Sequence, residues 1–139
     1  KSYYKYGVIT LDTSFFVLSA PSQRLTPNTA NGKLRTIEKR IAVPNGKSAK
    51  VSVWVRKSVV GDGTVYNGSE VRLIQLEDAA IGVTNNVVLA STTAASYGAF
   101  EKITGTTAAV NDNGVVRVFL DCDGTTGWIN ADLWTVEII

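Results

Sequence analysis

The clearest pattern in the chain is an alternation over positions 49–56, in which small or β-branched apolar residues alternate with Lys50, Ser52, Trp54 and Arg56. This period of two is typical of a β-strand with one face against a core. The residues expected to face that core are all small or β-branched: Ala49, Val51, Val53 and Val55. Trp54 and Arg56 then lie on the opposite face, which makes them candidates for an exposed contact surface.

A second alternation runs over residues 115–122. Its apolar set is predicted to face the core: Val116, Val118, Leu120 and Cys122. The residues between them are predicted to point outward: Val115, Arg117, Phe119 and Asp121. Arg117 and Phe119 therefore join Trp54 and Arg56 as candidates for an interface.

Further short segments rich in β-branched and aromatic residues lie between turn signals such as Pro44-Asn45-Gly46. They cover residues 3–11, 15–18, 23–26, 34–43, 70–76, 87–90 and 100–104. Glu77 to Asn86 is less regular, with a helical turn expected at Asp78–Ala80. About nine or ten strands and no sustained helical period predict an all-β, antiparallel β-sandwich in one domain, residues 1–139.

The closing strand changes phase. Its apolar residues fall first at odd and then at even positions: Ile129, Ala131, Leu133, then Trp134, Val136, Ile138. A β-bulge near Asp132-Leu133 would keep both sets inward, because it inserts one extra residue into the strand.

The amino-acid composition argues against several classes of function. The formal net charge is +2, which does not indicate nucleic acid as a partner, and no apolar run approaches the ~20 residues that span a bilayer. The chain has no histidine, one cysteine and no methionine, even at position 1. The missing methionine suggests a processed chain or a fragment of a longer protein. The single cysteine excludes a disulfide within the chain.

Catalysis is not expected. Without histidine, the usual base for a serine or cysteine nucleophile is absent. Glycoside hydrolysis needs two facing carboxylates, and the spacing of the candidates singles out no pair among Glu70, Glu77, Glu101 and Asp121. Cys122 lies on an apolar strand face and is predicted to be a buried, inert thiol.

Two kinds of binding site remain open. Asp121, Asp123 and Asp132 gather near a turn and could hold calcium, or could simply accept backbone hydrogen bonds there. No other cofactor is expected. Aromatic residues could stack on a sugar ring, or could pack in the core. The aromatic candidates are Trp54, Tyr66, Tyr97, Trp128 and Trp134.

Several motifs resemble the jelly-roll carbohydrate-binding modules appended to bacterial glycoside hydrolases. They are Pro21-Ser22-Gln23-Arg24-Leu25, the strand at 49–56, Phe100-Glu101-Lys102-Ile103 and the segment 124–132. Lys57, Tyr66-Asn67-Gly68 and the segment 123–128 are similar to domains of bacteriophage structural proteins. The resemblance implies jelly-roll topology. Such modules often end in a paired Asp-Asp that holds calcium, whereas this chain has Asn130-Ala131-Asp132.

The resemblance implies a non-catalytic structural or interaction module, a capsid decoration, fibre or tail domain on a virion. Its partners would be other virion or surface proteins, with a homo-oligomer as one arrangement. The alternative is a carbohydrate-binding module that holds glycans through exposed aromatics. A reduced thiol fits assembly in a reducing cytoplasm before display on a virion or an extracellular surface. Under either hypothesis the contact residues are Trp54, Arg56, Tyr66, Arg117 and Phe119.

Overall fold

The computed structural model describes residues 8–27, 32–33 and 38–139. This part of the chain forms ten β-strands and three short 3-10 helices. The strands are β1 (Val8–Asp12), β2 (Ser22–Thr26), β3 (Gly32–Lys33), β4 (Lys39–Val43), β5 (Ala49–Lys57), β6 (Val71–Gln75), β7 (Val87–Ser91), β8 (Glu101–Thr106), β9 (Gly114–Cys122) and β10 (Ile129–Ile138). The helical turns are Val60–Asp62, Ala79–Ile81 and Ala94–Ser96. None of these helices has the length and apolar character needed to cross a membrane.

The strands form two sheets in which every pairing is antiparallel. The first sheet has the order β1-β2-β10-β5-β8, and the second has the order β3-β9-β6-β7. β4 also pairs with β9, so β3 and β4 lie along different parts of the same neighbour. The two sheets enclose one main core, which confirms the predicted β-sandwich with jelly-roll topology.

The two alternating patterns correctly identify the residues that fill this core. Both predicted apolar faces are buried, with every member at most 1% exposed: Ala49, Val51, Val53, Val55, Val116, Val118, Leu120 and Cys122. Branched side chains pack well on a pleated surface, so the same residues that favour strands also hold the sheets together. The predicted burial of the Cys122 thiol is therefore confirmed.

The predicted bulge in β10 is present. The pairing of β10 with β5 shifts register between Asp132 and Thr135, and Leu133 adopts a positive φ of 49°. The later apolar residues lie on the core side as predicted, because Val136 and Ile138 pair with the inward residues Val51 and Ala49, and Trp134 packs against the core. Val136 and Ile138 are nevertheless 44% and 42% exposed. Within the described residues, β2 pairs only with the first part of β10 and leaves this half of the strand at an open edge.

Residues 15–18 do not form the strand that their composition predicts. Asp12 Oδ1 accepts hydrogen bonds from the backbone nitrogens of Ser14 (2.8 Å) and Phe15 (3.3 Å), which turns the chain after β1. Asp132 Oδ2 accepts one from Val17 N at 2.8 Å. These side-chain contacts replace a β-ladder, and the loop at 13–20 folds over the outer face of the first sheet.

Other predicted segments agree with the strands where the structure describes them. The strand predicted over 34–43 is present at Lys39–Val43, and the one predicted over 3–11 at Val8–Asp12. Residues 3–7 and 34–37 lie outside the described part of the chain. The predicted helical turn after Glu77 is also confirmed, since Asp78 caps a turn at Ala79–Ile81 by accepting from Ala80 N at 3.1 Å.

Candidate functional site

The outer face of the second sheet brings charged and apolar side chains into cross-strand pairs. Arg40 of β4 lies opposite Arg117 of β9, while Ile74 and Arg72 of β6 lie opposite Phe119 and Asp121 of β9. Paired residues of an antiparallel sheet share a face, so these side chains belong to one surface. We call it the second-sheet face, defined by Arg40, Arg72, Ile74, Arg117, Phe119 and Asp121.

One carboxylate on this face is almost enclosed. Asp121 Oδ2 lies 2.5 Å from Arg72 Nη2, and the side chain of Asp121 is 5% exposed. Asp121 Oδ1 is buried and has no hydrogen-bond partner among the described residues. An ionised carboxylate accepts hydrogen bonds at both oxygens, so a donor that reached Oδ1 would satisfy an otherwise unpaired buried acceptor.

Farther along the same face, two arginines share one carboxylate. Glu38 lies 3.8 Å from Arg40 Nε and 3.9 Å from Arg117 Nε, which offsets the repulsion between two like charges in register. The side chains of Arg40 and Arg117 are 65% and 28% exposed. Guanidinium donors therefore remain accessible to solvent on this part of the face.

Two of the concavities on this surface are bordered by charged side chains. The larger has a volume of about 570 Å³ and is lined by Arg40, Ala42, Asp78, Asp112, Val115 and Arg117, among others. The smaller, about 220 Å³, is lined by Arg72, Ile74, Asn86, Val88, Phe119 and Asp121. Both contain charged hydrogen-bonding groups beside apolar side chains. This combination suits a ligand with hydroxyl groups and an apolar ring face.

The structure places Phe119 differently from the prediction. It is on the outer face, as the alternation requires, but is only 5% exposed and packs with Ile74 and Leu76 in a small second hydrophobic cluster. The interpretation of Phe119 as a broad exposed contact residue is therefore wrong. It contributes to the wall of the smaller concavity, whereas Arg117 remains partly exposed.

Arg56 is not a surface contact either. Its guanidinium makes a two-point contact with Asp62, through Nη1–Oδ2 at 2.8 Å and Nη2–Oδ1 at 3.0 Å, and lies 3.9 Å from the Phe15 ring centroid. The residue is 6% exposed. The hydrogen bonds from Arg56 lower the pKa of the Asp62 carboxyl below its usual value. Local alternation could not show that a distant loop covers this position.

Trp54 stays on the outer face of the first sheet, where it is half-buried. It lies between Asp132 of β10 and Lys102 of β8 in the strand pairing. Trp54 and Arg117, two of the predicted contact residues that remain partly exposed, therefore lie on opposite outer faces of the sandwich.

Tyr66 belongs to a polar hub at one end of the sandwich, formed by Lys57, Tyr66, Tyr97 and Asp123. Tyr66 is 1% exposed, so its prediction as an exposed contact residue is wrong. Its hydroxyl donates to Asp123 Oδ1 at 2.8 Å and accepts from Gly124 N at 2.8 Å. Burial raises the pKa of the Tyr66 phenol well above its usual value, so the hydroxyl keeps its proton.

Asp123, directly after β9, binds the loop that precedes β6. Its carboxylate accepts from Ser69 N, Ser69 Oγ and Glu70 N at 2.9–3.1 Å. Desolvation would raise the pKa of Asp123, but the hydrogen bonds from Tyr66, Glu70 and Ser69 outweigh it, and the pKa is lowered. The Asp123 carboxylate is therefore occupied by hydrogen bonds that fix this loop.

Lys57 completes the hub. It is 0% exposed, and its ammonium donates to Ser69 O (2.6 Å) and Thr93 O (3.1 Å) beneath the Tyr97 ring, whose centroid is 4.4 Å away. Burial lowers the pKa of Lys57, and the negative charges of Glu101 and Asp123 oppose that shift.

The three aspartates proposed for calcium do not converge. Asp121 pairs with Arg72, Asp123 belongs to the polar hub, and Asp132 accepts from Val17 N. The described residues contain no group of three or more acidic, cysteine or histidine side chains that could hold a metal ion. The calcium interpretation is therefore not supported by the geometry: Asp123 and Asp132 accept backbone hydrogen bonds, and Asp121 forms an ion pair.

The remaining aromatic candidates are used mainly for packing. Trp128 is 7% exposed and lies beneath Arg24, whose Cζ is 3.7 Å from the ring centroid. Trp134 is half-buried and donates from Nε1 to Gln23 Oε1 at 3.3 Å. Tyr97 is half-buried against Lys57. These three residues do not form one exposed platform.

Sequence reasoning missed Arg40 and Arg72 as members of a common face. Their strands are far apart in the sequence, and only the pairing of β4 and β6 with opposite ends of β9 unites them. The alternation in β9 was the available signal, since it placed Arg117 and Asp121 on the outer side. No single-strand pattern identifies the arginines on the neighbouring strands.

Comparison with solved structures identifies proteins that share this fold. No family model and no curated protein sequence matches the chain. The structure is similar to the Clostridium thermocellum endo-1,4-β-D-xylanase 10B CBM22-1 and GH10 modules, solved with xylohexaose (TM-score 0.69, 13% identity over 94% of this chain). It is also similar to the CBM22-1 xylan-binding domain of Paenibacillus barcinonensis Xyn10C (TM-score 0.64, 10% identity, covering 95% of this chain and 81% of that one).

A phage protein shows the same fold. The enzymatically active domain of bacteriophage CBA120 tailspike protein 4 matches 99% of this chain with a TM-score of 0.67 and 10% identity. The chain spans 24% of the xylanase chain and 18% of the tailspike chain. These similarities confirm the resemblance in fold to jelly-roll carbohydrate-binding modules and to a domain of a phage protein.

Proposed function

We propose that this chain is a non-catalytic binding module that holds an oligosaccharide on its second-sheet face. The observation that carries the proposal is the enclosed carboxylate of Asp121, which has one oxygen paired with Arg72 and the other without a partner among the described residues. Rotation of the carboxyl about its soft terminal torsion turns that buried oxygen toward the smaller concavity, where a ligand hydroxyl can donate to it. Neighbouring guanidinium groups can donate to ligand oxygens, and both kinds of hydrogen bond are charge-assisted.

The balance of charges favours a neutral ligand. Arg40 and Arg117 share Glu38, and Asp78 and Asp112 lie on the wall of the same concavity. Positive and negative groups thus alternate across the surface, and neither sign dominates. Hydroxyl groups can pair with both because each is a donor and an acceptor.

A non-catalytic role is supported by the environments of two of the four acidic residues considered above, Glu101 and Asp121. Glu101 accepts hydrogen bonds from Thr93 N and Thr93 Oγ1, both at 2.7 Å, and Asp121 is paired with Arg72. Such fixed, structural carboxylates are poor candidates for the acid and base of glycoside hydrolysis.

A glycan array with the purified domain tests the proposal. We expect retention of at least one neutral oligosaccharide, and Arg117→Ala should weaken its affinity on the order of tenfold through loss of one charge-assisted hydrogen bond. Trp54→Ala is the matched control, since it removes a partly exposed side chain from the opposite sheet.

The two variants also separate the competing faces. If Trp54→Ala removes binding and Arg117→Ala does not, the site lies on the first sheet. An array on which the wild-type domain retains no glycan contradicts the proposed function.

A second proposal is that the module is displayed on a virion as part of a longer protein, where it supports assembly or adhesion. The observation that favours it is the match of 99% of this chain to part of the tailspike chain. Mass spectrometry of purified particles should detect peptides of this chain together with peptides from a longer polypeptide. Their absence from particles in which the major structural proteins are fully covered contradicts this role.

A further inference from the structure

A separate cavity lies where the edges of the two sheets diverge. β7 and β8 approach closely at Gly105, where an added Cβ would lie 2.5 Å from Leu89 Cβ. Beyond this contact, a cavity of about 470 Å³ opens between Val87 and the end of β8. It is distinct from the concavities of the second-sheet face, which have different lining residues.

Gln75 lines this cavity at a position where an apolar residue is expected. Val71, Leu73 and Gln75 alternate along β6 toward the interior, and both apolar members are 0% exposed. Gln75 is itself 1% exposed, yet its Nε2 has no hydrogen-bond partner among the described residues. A buried amide without a partner destabilises a fold by about 1–3 kcal/mol, so its presence here calls for a compensating role.

The other walls define the chemistry of a ligand. The cavity is lined by uncharged residues, with hydroxyl and amide groups at Thr84, Asn85 and Thr106 and apolar groups at Val87 and Leu89. A neutral molecule is favoured because no charged side chain among the described residues lines the cavity. A hydroxylated ring can pair its oxygens with the polar groups and place its C–H face against the apolar ones.

We propose that this cavity is a second, independent site for a neutral hydroxylated ring of monosaccharide size, with Gln75 as its buried polar contact. The terminal amide turns about a soft torsion, which allows Nε2 to move toward the cavity. A ligand hydroxyl accepts from Nε2 there and removes the unpaired donor. The site extends the binding function to the sandwich edge and does not depend on the second-sheet face.

The side-chain amide of Gln75 gives a direct readout. The chain has two glutamines, Gln23 and Gln75, so an NMR spectrum of side-chain NH₂ groups contains an internal control. D-xylose, D-glucose and D-galactose are titrated separately to about 50 mM, above the Kd on the order of 1 mM expected for a single ring. We expect at least one sugar to shift the Gln75 signals saturably and to leave the Gln23 signals in place.

Two variants make the result decisive. Gln75→Leu removes the unpaired polar group without a large change in volume, so it should fold at least as stably as wild type and lose the saturable shifts of neighbouring backbone signals. Arg117→Ala should leave the Gln75 response unchanged even if it weakens binding on the second-sheet face. The proposal is overturned if no sugar shifts Gln75 saturably, or if the same backbone shifts persist in folded Gln75→Leu.

Discussion

Replacing Lys57 by methionine tests whether the polar hub stabilises the end of the sandwich. The ammonium is fully buried and donates to the carbonyl oxygens of Ser69 and Thr93 from beneath Tyr97. Methionine has a similar length but no donor. The substitution therefore removes both hydrogen bonds and the cation–π contact together.

The expected cost follows from these contacts. Each charge-assisted hydrogen bond contributes about 1.5 kcal/mol at the low end of its range, which is appropriate because both loops reach solvent. The cation–π contact adds about 1 kcal/mol. Relief of the buried charge offsets about 1 kcal/mol, so the free energy of unfolding should fall by about 3 kcal/mol. For a chain of this size, the Tm should drop by roughly 6–12 °C.

Urea unfolding followed by tryptophan fluorescence measures this change, and linear extrapolation gives the free energy of unfolding. Lys50→Met is the matched control, because Lys50 is on the same strand and is exposed. The control should stay within about 0.5 kcal/mol of wild type. If Lys57→Met is as stable as Lys50→Met, the hub does not stabilise the fold through the ammonium.

Three further predictions concern acid, packing and the thiol. The pKa values of the Asp62 and Asp123 carboxyls are lowered by folding, so the folded state binds fewer protons than the unfolded state just below pH 3.8. The free energy of unfolding should therefore fall as the pH drops through that range. Equal free energies of unfolding at pH 5 and pH 2.5 in urea titrations would contradict this. Gly105→Ala should lower the free energy of unfolding by about 1–3 kcal/mol in the same assay, because its Cβ would overlap Leu89. Gly61→Ala, with open space around it, should lower it by less than about 1 kcal/mol. Equal losses would contradict the close approach of β7 and β8. Cys122 is 1% exposed, so Ellman's reagent should label it only when the protein unfolds, and rapid labelling of the native protein would show that the core is open there.

The core could be predicted because its strands have strong local signals. In β5, the alternation through Val51, Val53 and Val55 fixes which face is inward, and the same holds for β9. The bulge near Leu133 was also predictable, because apolar residues change phase within one strand. These inferences need no knowledge of which strands pair.

The candidate site was less predictable because it depends on contacts between distant parts of the chain. Arg56 alternates like an exposed residue, but Phe15 and Asp62 cover it. The pairing of Arg72 with Asp121 joins residues 49 positions apart. Neither relation has a periodic signature, so sequence patterns could assign a side of each strand but not the exposure of that side.

The prediction for residues 15–18 failed for a related reason. Apolar, aromatic composition favours a strand, whereas the carboxylates of Asp12 and Asp132 take the backbone donors of Ser14 and Val17. Specific side-chain capping thus overrides strand propensity here.

An NMR map of the surface that contacts an oligosaccharide retained on the array tests most directly whether the glycan binds the second-sheet face. Backbone amide signals are followed while the glycan is added to the wild-type domain. Binding on the second-sheet face predicts saturable shifts centred on Arg40, Val115, Arg117 and Asp121, with little change at Trp54. Shifts centred on Trp54 and Lys102, with the second-sheet face unchanged, would contradict it.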